Sequence, residues 1–268
     1  MNRLSLVLPL LAVAAPLEAQ DRTAFVTQFD RVRVDGPVEV HLATRAGPGA
    51  RITGAPNAVD VHVEAGTLIV RAGPRSASGG AVVYLRTTDL RGATVIGGGK
   101  LDITGPLRAQ RVDVQLTGGG AIVAPAIEAE QVTVTLIGAG TLTLGGRGAQ
   151  VRIISSGKGT IDATALRADQ IVIRNGGAGA ITASARYFAD VMTTGLGTVT
   201  VLGSPKCKTK AAGGAIGCGG AAVAQSRTAP AGRYSNPKAD NFPSSAAGIV
   251  SPATTPAPRS AGASVASR

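Results

Sequence analysis

The chain has 268 residues, a formal net charge of +11, two cysteines and few aromatics: three Tyr, four Phe and no Trp. The length suits one large domain or two small ones. The scattered basic residues, with no Lys/Arg run, argue against a specific nucleic-acid site, and the shortage of aromatics argues against a sugar-stacking cleft.

In chain order, Met1-Asn2-Arg3 is a short cationic start and Leu4 to Ala15 is apolar except for Ser5 and Pro9. Leu17-Glu18-Ala19 is a small-residue exit, which completes the layout of a secretory signal peptide over residues 1–19. Cleavage after Ala19 is preferred, because Pro16 blocks cleavage after Ala15. The competing reading is a buried amino-terminal strand or helix. No cysteine stands at the cleavage point to carry a lipid, and no later stretch is long and apolar enough for a membrane helix. The expectation is an exported chain without a transmembrane segment, placed in the periplasm, at the cell surface or outside the cell. Removing Arg3 and Glu18 leaves the charge at +11, of which residues 221–268 carry +4 from five Arg/Lys and one Asp. A basic exterior favours polyanions such as acidic glycans and other envelope polymers.

Residues 25–92 are rich in strand patterns. Phe29 to Leu42 gives two alternating strands around Asp35-Gly36-Pro37, and 59–64, 67–72 and 81–86 continue the alternation. These read as irregular first coils that cap the open end of a stack. His41 and His62 alternate with apolar residues and so fall on outward faces, with no metal-motif partner or triad context.

A repeat then takes over. Gly-x-Gly recurs at Gly97/Gly99, Gly118/Gly120, Gly138/Gly140, Gly157/Gly159, Gly177/Gly179 and Gly195/Gly197, at steps of 21, 20, 19, 20 and 18 residues. Each pair leads into a tetrad whose second and fourth residues are apolar: K-L-D-I, A-I-V-A, T-L-T-L, T-I-D-A, A-I-T-A and T-V-T-V. That is the period of a strand with one buried face. A second strand follows half a period later at Arg111, Gln131, Gln150 and Gln170, with a degraded copy at Asp190, preceded by corners such as L-R-A-Q (107–110), I-E-A-E (127–130) and L-R-A-D (166–169).

A unit of about 20 residues without a helix cannot bury its own apolar face, so the units must stack. The pattern predicts an all-β, right-handed parallel β-helix with coils of about 20 residues, six coils spanning roughly 30 Å at the strand spacing. A β-propeller is the alternative, but its blades need about 40 residues. The repeated glycines fit left-handed or crowded turn positions where a Cβ would clash. None completes a phosphate-binding pattern, and each opens onto a strand rather than a helix.

Cys207 and Cys218 follow the last repeat. In an oxidising compartment they pair most simply with each other and form a cap over 206–220, adding roughly 3 kcal/mol. The rival is a metal site, for which no His, Asp or Glu stands nearby. Residues 221–268 turn to Ala, Pro, Ser and Thr and read as a disordered tail.

The F-D-x-V-x-V-x-G-P-V-x-V opening (29–40), the Gly-x-Gly ladder and the closing V-L-G-S-P-K-C (201–207) together resemble the auto-transporter adhesin head GIN domain family, over roughly residues 29–220. The resemblance implies an exported all-β protein of parallel β-helix type, from a family of largely unknown function. The chain departs from an auto-transporter in having no room for a membrane barrel and no aromatic, strand-rich carboxyl end.

A search for chemistry yields no catalytic, cofactor or metal residues. Asp102 and Asp162 occupy equivalent outward positions three coils apart, roughly 14 Å at the strand spacing, with Val123 and Thr143 between them. That separation suits neither hydrolytic geometry of paired carboxylates. Asp113 and Arg152 share another outward column. Thr143, Thr182 and Thr200, with Thr133 and Thr135, read either as a ladder for a repeating glycan or as ordinary exposed strand residues. The turns lack the acid that calcium-binding β-rolls use. The sequence therefore points to a non-catalytic surface or envelope scaffold for polymeric ligands. The alternatives are a polysaccharide lyase, by analogy of fold only, and a structural homo-oligomer joined end to end.

Overall fold

A computed structural model of the chain describes residues 20–54, 57–74, 81–219 and 221–223. The signal peptide expected over 1–19, and all of the expected tail after residue 223, lie outside the described residues. Among the described residues there are strands and no helix. They form a parallel-stranded solenoid of about six turns, its coils about 20 residues apart.

The tetrads after the glycine turns make the first face. Lys100–Asp102, Ala121–Val123, Thr141–Thr143, Thr160–Asp162, Ala180–Thr182 and Thr198–Thr200 pair in parallel, each with the next. Their apolar alternates, from Leu101 and Ile103 to Val199 and Val201, are buried. The second face stacks Asp113–Leu116 on Thr133–Leu136, Arg152–Ser155, Val172–Asn175, Asp190–Thr193 and Lys208–Ala211. Because residue 107 pairs with 127, 131 with 150 and 150 with 170, the pairing offset follows the sequence steps of 20, 19 and 20. Each fully buried Val, Ile or Leu contributes about 1.5–3 kcal/mol.

The third face is drawn through the corner by long bent strands, Leu107–Gly118, Ala121–Gly138, Thr141–Gly157 and Thr160–Asn175. Register shifts fall before it, between Ala124 and Ile127 and between Thr143 and Gly145, and in the next coil both before and within it, between Ala163 and Arg167 and between Ala168 and Gln170. The unequal coil lengths are absorbed at these irregularities.

At the glycine turns two different demands alternate. Gly138 has φ +118°, a backbone that L side chains avoid, and a Cβ there would stand 2.6 Å from the Gly118 carbonyl oxygen. Gly140 has no such φ, but a Cβ would meet Gly120 O at 2.5 Å and Leu116 Cδ2 at 2.6 Å. Gly97, Gly118 and Gly157 share the first backbone. Gly99, Gly120, Gly159, Gly179 and Gly197 press on the preceding coil's backbone as Gly140 does, and Gly177 and Gly195 on the carbonyls of Gly157 and Gly177. Gly36 belongs to the same column: its φ is +95°, and it lies directly against Gly97.

Residues 20–86 occupy one end, and their order in space differs from their order in the chain. Arg31–Asp35 lies between Gly92–Ile96 and Thr67–Arg71, and Glu39–Ala43 between Lys100–Thr104 and Val82–Arg86. The outermost strands are antiparallel: Val59–Glu64 on Thr67–Ala72, Gly49–Thr53 on Val82–Arg86, and Gln20–Ala24 on Ala50–Gly54. Short reversals suffice for such pairs, whereas another parallel strand needs a full coil.

At the other end Lys206–Ala211 lies on Phe188–Thr193, and Ile216–Cys218 on Val199–Val201. Cys207 and Cys218 are joined by a disulfide that links these two strands. Ala221–Val223 pairs antiparallel with Ile216–Cys218, so strand structure continues past Gly220, where the tail was expected to begin.

Candidate functional site

The third face carries the most distinctive outward surface. Its copies read L-R-A-Q-R (107–111), I-E-A-E-Q (127–131), G-R-G-A-Q (146–150) and L-R-A-D-Q (166–170). Leu107, Ile127 and Leu166 point inward and are buried. The next residue of each copy points out, which stacks Arg108, Glu128, Arg147, Arg167 and then Ser184 in one column. The third is always Ala or Gly, leaving no side chain to fill the bend before the second face.

The result is an open groove. Ala109, Ala129, Gly146 and Ala149 form its floor, between Gln110, Glu128, Glu130, Arg147 and Asp169, around a central volume of about 830 Å³. Beside it lies a depression of about 550 Å³ lined by Asp89, Arg91, Arg108, Arg111 and Gln131, with Ala109 and Gln110 bordering both. In the other direction Arg147 and Asp169 border both the centre and a depression of about 420 Å³ with Arg167, Ser184, Arg186 and Ser204. From Arg108 to Ser204 the groove crosses five coil steps, about 24 Å at the strand spacing.

Its charges are not equivalent. Arg108 donates from Nε and Nη2 to the two Glu128 oxygens at 2.6 and 3.2 Å. Hydrogen bonding to Arg108, reinforced by its charge and that of Arg45, holds the Glu128 carboxyl below its ordinary range, and the same bond raises Arg108. Arg91 reaches Asp30 at 3.3 Å, and Arg111 donates twice to Gln131 Oε1. Arg147 and Arg167, register partners one coil apart, pair with no carboxylate among the described residues. Arg186 lies 4.7 Å from the ring centroid of Tyr187, which is 55% exposed.

The histidines and aspartates singled out in the sequence lie elsewhere, at the surface. His41 stacks on Tyr84 with centroids 5.4 Å apart, and its nitrogens lie 3.4 Å from Glu39 and 3.9 Å from Asp102. His62 contacts Asp60 at 3.1 Å. Asp102, Val123, Thr143 and Asp162 are successive members of one outward column, so the two aspartates are three strand spacings apart. Asp162 accepts from the hydroxyl and backbone N–H of Thr164, which lowers its pKa. Thr182 and Thr200 continue that column, while Asp113, Thr133 and Arg152 share one on the second face. No group of three His, Cys, Asp or Glu among the described residues could hold a metal ion, and no helix there is long and apolar enough to cross a membrane.

Sequence reasoning took the third-face segments as corners and missed the groove. The missed signal was the recurrence of Arg at one offset, at 108, 147 and 167, beside an invariably small residue.

Comparison with known proteins gives a consistent result. A "putative adhesin" of Bacteroides fragilis has 22% identity and a TM-score of 0.68, covering 75% of this chain and 97% of its own. A "putative lipid binding protein" of Parabacteroides distasonis has 17% identity and a TM-score of 0.59, covering 76% and 97%. A "putative adhesin" of the same species has 14% identity and a TM-score of 0.61, covering 75% and 97%. These likenesses speak for the fold. No curated protein matches significantly. The family described as "Putative auto-transporter adhesin, head GIN domain" matches residues 28–205, from the first alternating strand to the last repeat. With the match spanning the glycine ladder and both faces it supports, the chain belongs to the auto-transporter adhesin head GIN domain family.

Proposed function

We propose that this chain is an exported, non-catalytic binding module that engages linear polymers of the cell envelope or of another cell's surface. The observation that carries the reading is the row of depressions along the third face, neighbouring ones of which share lining residues. A concavity built from one repeating column offers equivalent positions at regular intervals, and a polymer offers equivalent groups at regular intervals. Summed over several coils, weak contacts give useful affinity. Membership of an adhesin-named family and the disulfide support export, in which residues 1–19 act as the leader and Gln20 starts the mature chain. Glu128 and Asp162 are engaged by Arg108 and Thr164, so the lyase alternative gains no support from them.

The test is capture of envelope fractions, whole cells and acidic glycans across a salt series. Saturable binding at low salt that weakens as salt rises is expected. Absence of saturable binding at low salt overturns the reading. Polyuronates incubated with the protein should gain no ultraviolet absorbance, and a rising trace would restore the lyase.

A further inference from the structure

We propose that the carboxyl-terminal end of the groove, lined by Arg147, Arg167, Arg186, Ser184 and Ser204 and flanked by Tyr187 through its contact with Arg186, binds the acidic sugars of a linear uronate-containing polysaccharide. The inference rests on the polymer-binding reading above and adds to it a ligand class and the residues that select it.

Three observations converge there. Arg147 and Arg167 are in direct register on adjacent parallel strands, so their chains leave the sheet roughly 4.8 Å apart. Like charges on neighbouring rungs repel, and an anion between them removes the repulsion while accepting charge-assisted hydrogen bonds from both. One coil before Arg147 the groove's charge is already used, because Arg108 is engaged by Glu128 in a two-point ion pair. At this end three arginines face one acid, Asp169, in the same depression.

The second observation is aromatic. In a chain with three Tyr and no Trp, Tyr187 is exposed beside this depression, and the Arg186 guanidinium is held over its ring. A flat ring braced by a cation offers a surface on which the apolar face of a pyranose can lie. The third is hydrogen bonding: Ser184 and Ser204 line the depression next to Arg167 and Arg186 and supply groups suited to sugar hydroxyls. A uronate polymer repeats ring, hydroxyls and carboxylate at intervals close to the coil spacing.

A lipid is less well matched. Ala and Gly lie between charged side chains in the groove, a lining that meets an anionic headgroup but presents no large apolar side chain to an acyl chain.

The experiment is calorimetric titration of the purified protein with polygalacturonate, dextran, inorganic polyphosphate and phosphatidylglycerol vesicles. Polygalacturonate should bind and dextran should not. R147S/R167S should weaken polygalacturonate binding at least about tenfold, a large and readily measured change in affinity. R152S/K158S removes the same charge from the second face and a turn, and should change binding less than about twofold if position rather than net charge decides. Both double variants alter exposed positions, and unchanged melting temperatures verify their folding. Tyr187→Ala should weaken polygalacturonate but not polyphosphate. Equal losses in the two double variants overturn the inference. So does binding of polyphosphate or vesicles as tight as that of polygalacturonate and indifferent to Tyr187→Ala. If polygalacturonate fails while envelope fractions still bind saturably, the ligand class is wrong and the polymer-binding reading stands; if both fail, both are wrong.

Discussion

From residue 107 to residue 203 every coil lies on the one that precedes it in the chain, whereas from residue 20 to residue 104 chain order and spatial order part. In the first region each residue meets its own counterpart about 20 positions away: glycine on glycine, buried Val on buried Val, Gln131 on Gln150 on Gln170. In the second, strands meet unlike neighbours, several are antiparallel, and reversals place Arg45, Asn57 and Ala65 at positive φ. The difference reflects two tasks. A stack propagates by repeating one set of contacts, but it ends only by changing them, since an identical last coil would offer an open edge to another molecule.

The largest expected effect tests the repeat itself. Gly140→Val should destabilise the protein by about 3 kcal/mol or more, since its side chain would collide with Gly120 O and Leu116 Cδ2. Gly119→Ala, at a position of the same ladder with nothing within 4 Å, should change stability by less than about 1 kcal/mol. Equal melting temperatures for the two variants would refute the crowded-turn account.

A smaller effect sharpens the contrast between middle and end. C207S/C218S should remove about 3 kcal/mol by the chain-entropy argument for so short a loop. In hydrogen exchange the loss should be confined to amides of 206–218, leaving 112–116 and 132–136 protected. Uniform loss of protection would mean that the end is not a separate unit.

The smallest effect probes the join between the two regions. Lys100, on the strand that adjoins the regular stack, donates to Glu39 in the first coil at 3.1 Å, which holds the Glu39 carboxyl below its ordinary value near 4.5. A lowered folded pKa contributes stability that is complete above the unfolded value and fades as pH falls through the folded one. Glu39→Gln should therefore cost less than about 1 kcal/mol at neutral pH, less still in high salt, and progressively less as pH falls through the folded pKa. A cost that does not fall with pH would assign Glu39 a packing role instead.

How much of this was legible in the sequence depends on where neighbours come from. Leu142 and Leu144 announce their burial because Ile122, Ala124, Ile161 and Ala163 repeat the pattern one step away, and pairing follows that step. The insertion of Arg31–Asp35 between Thr67–Arg71 and Gly92–Ile96 left no such mark, since alternation fixes which side chains are buried but not which strand lies alongside. Gly36 was legible as a turn but not as a member of the glycine column, because Pro37 and Val38 stand where later turns carry a second glycine. In the groove, Arg147, Arg167 and Arg186 are 20 and 19 residues apart and become neighbours only once the coils are stacked.

The separation of inward from outward positions has a further consequence. Arg108, Glu128, Arg147, Arg167 and Ser184 form a column that tolerates a cation, an anion or a hydroxyl on the same backbone, while the adjoining buried residues stay apolar. The scaffold thus keeps two alphabets apart, one that specifies the fold and one that specifies what the surface recognises, and the second can be rewritten a rung at a time without disturbing the first.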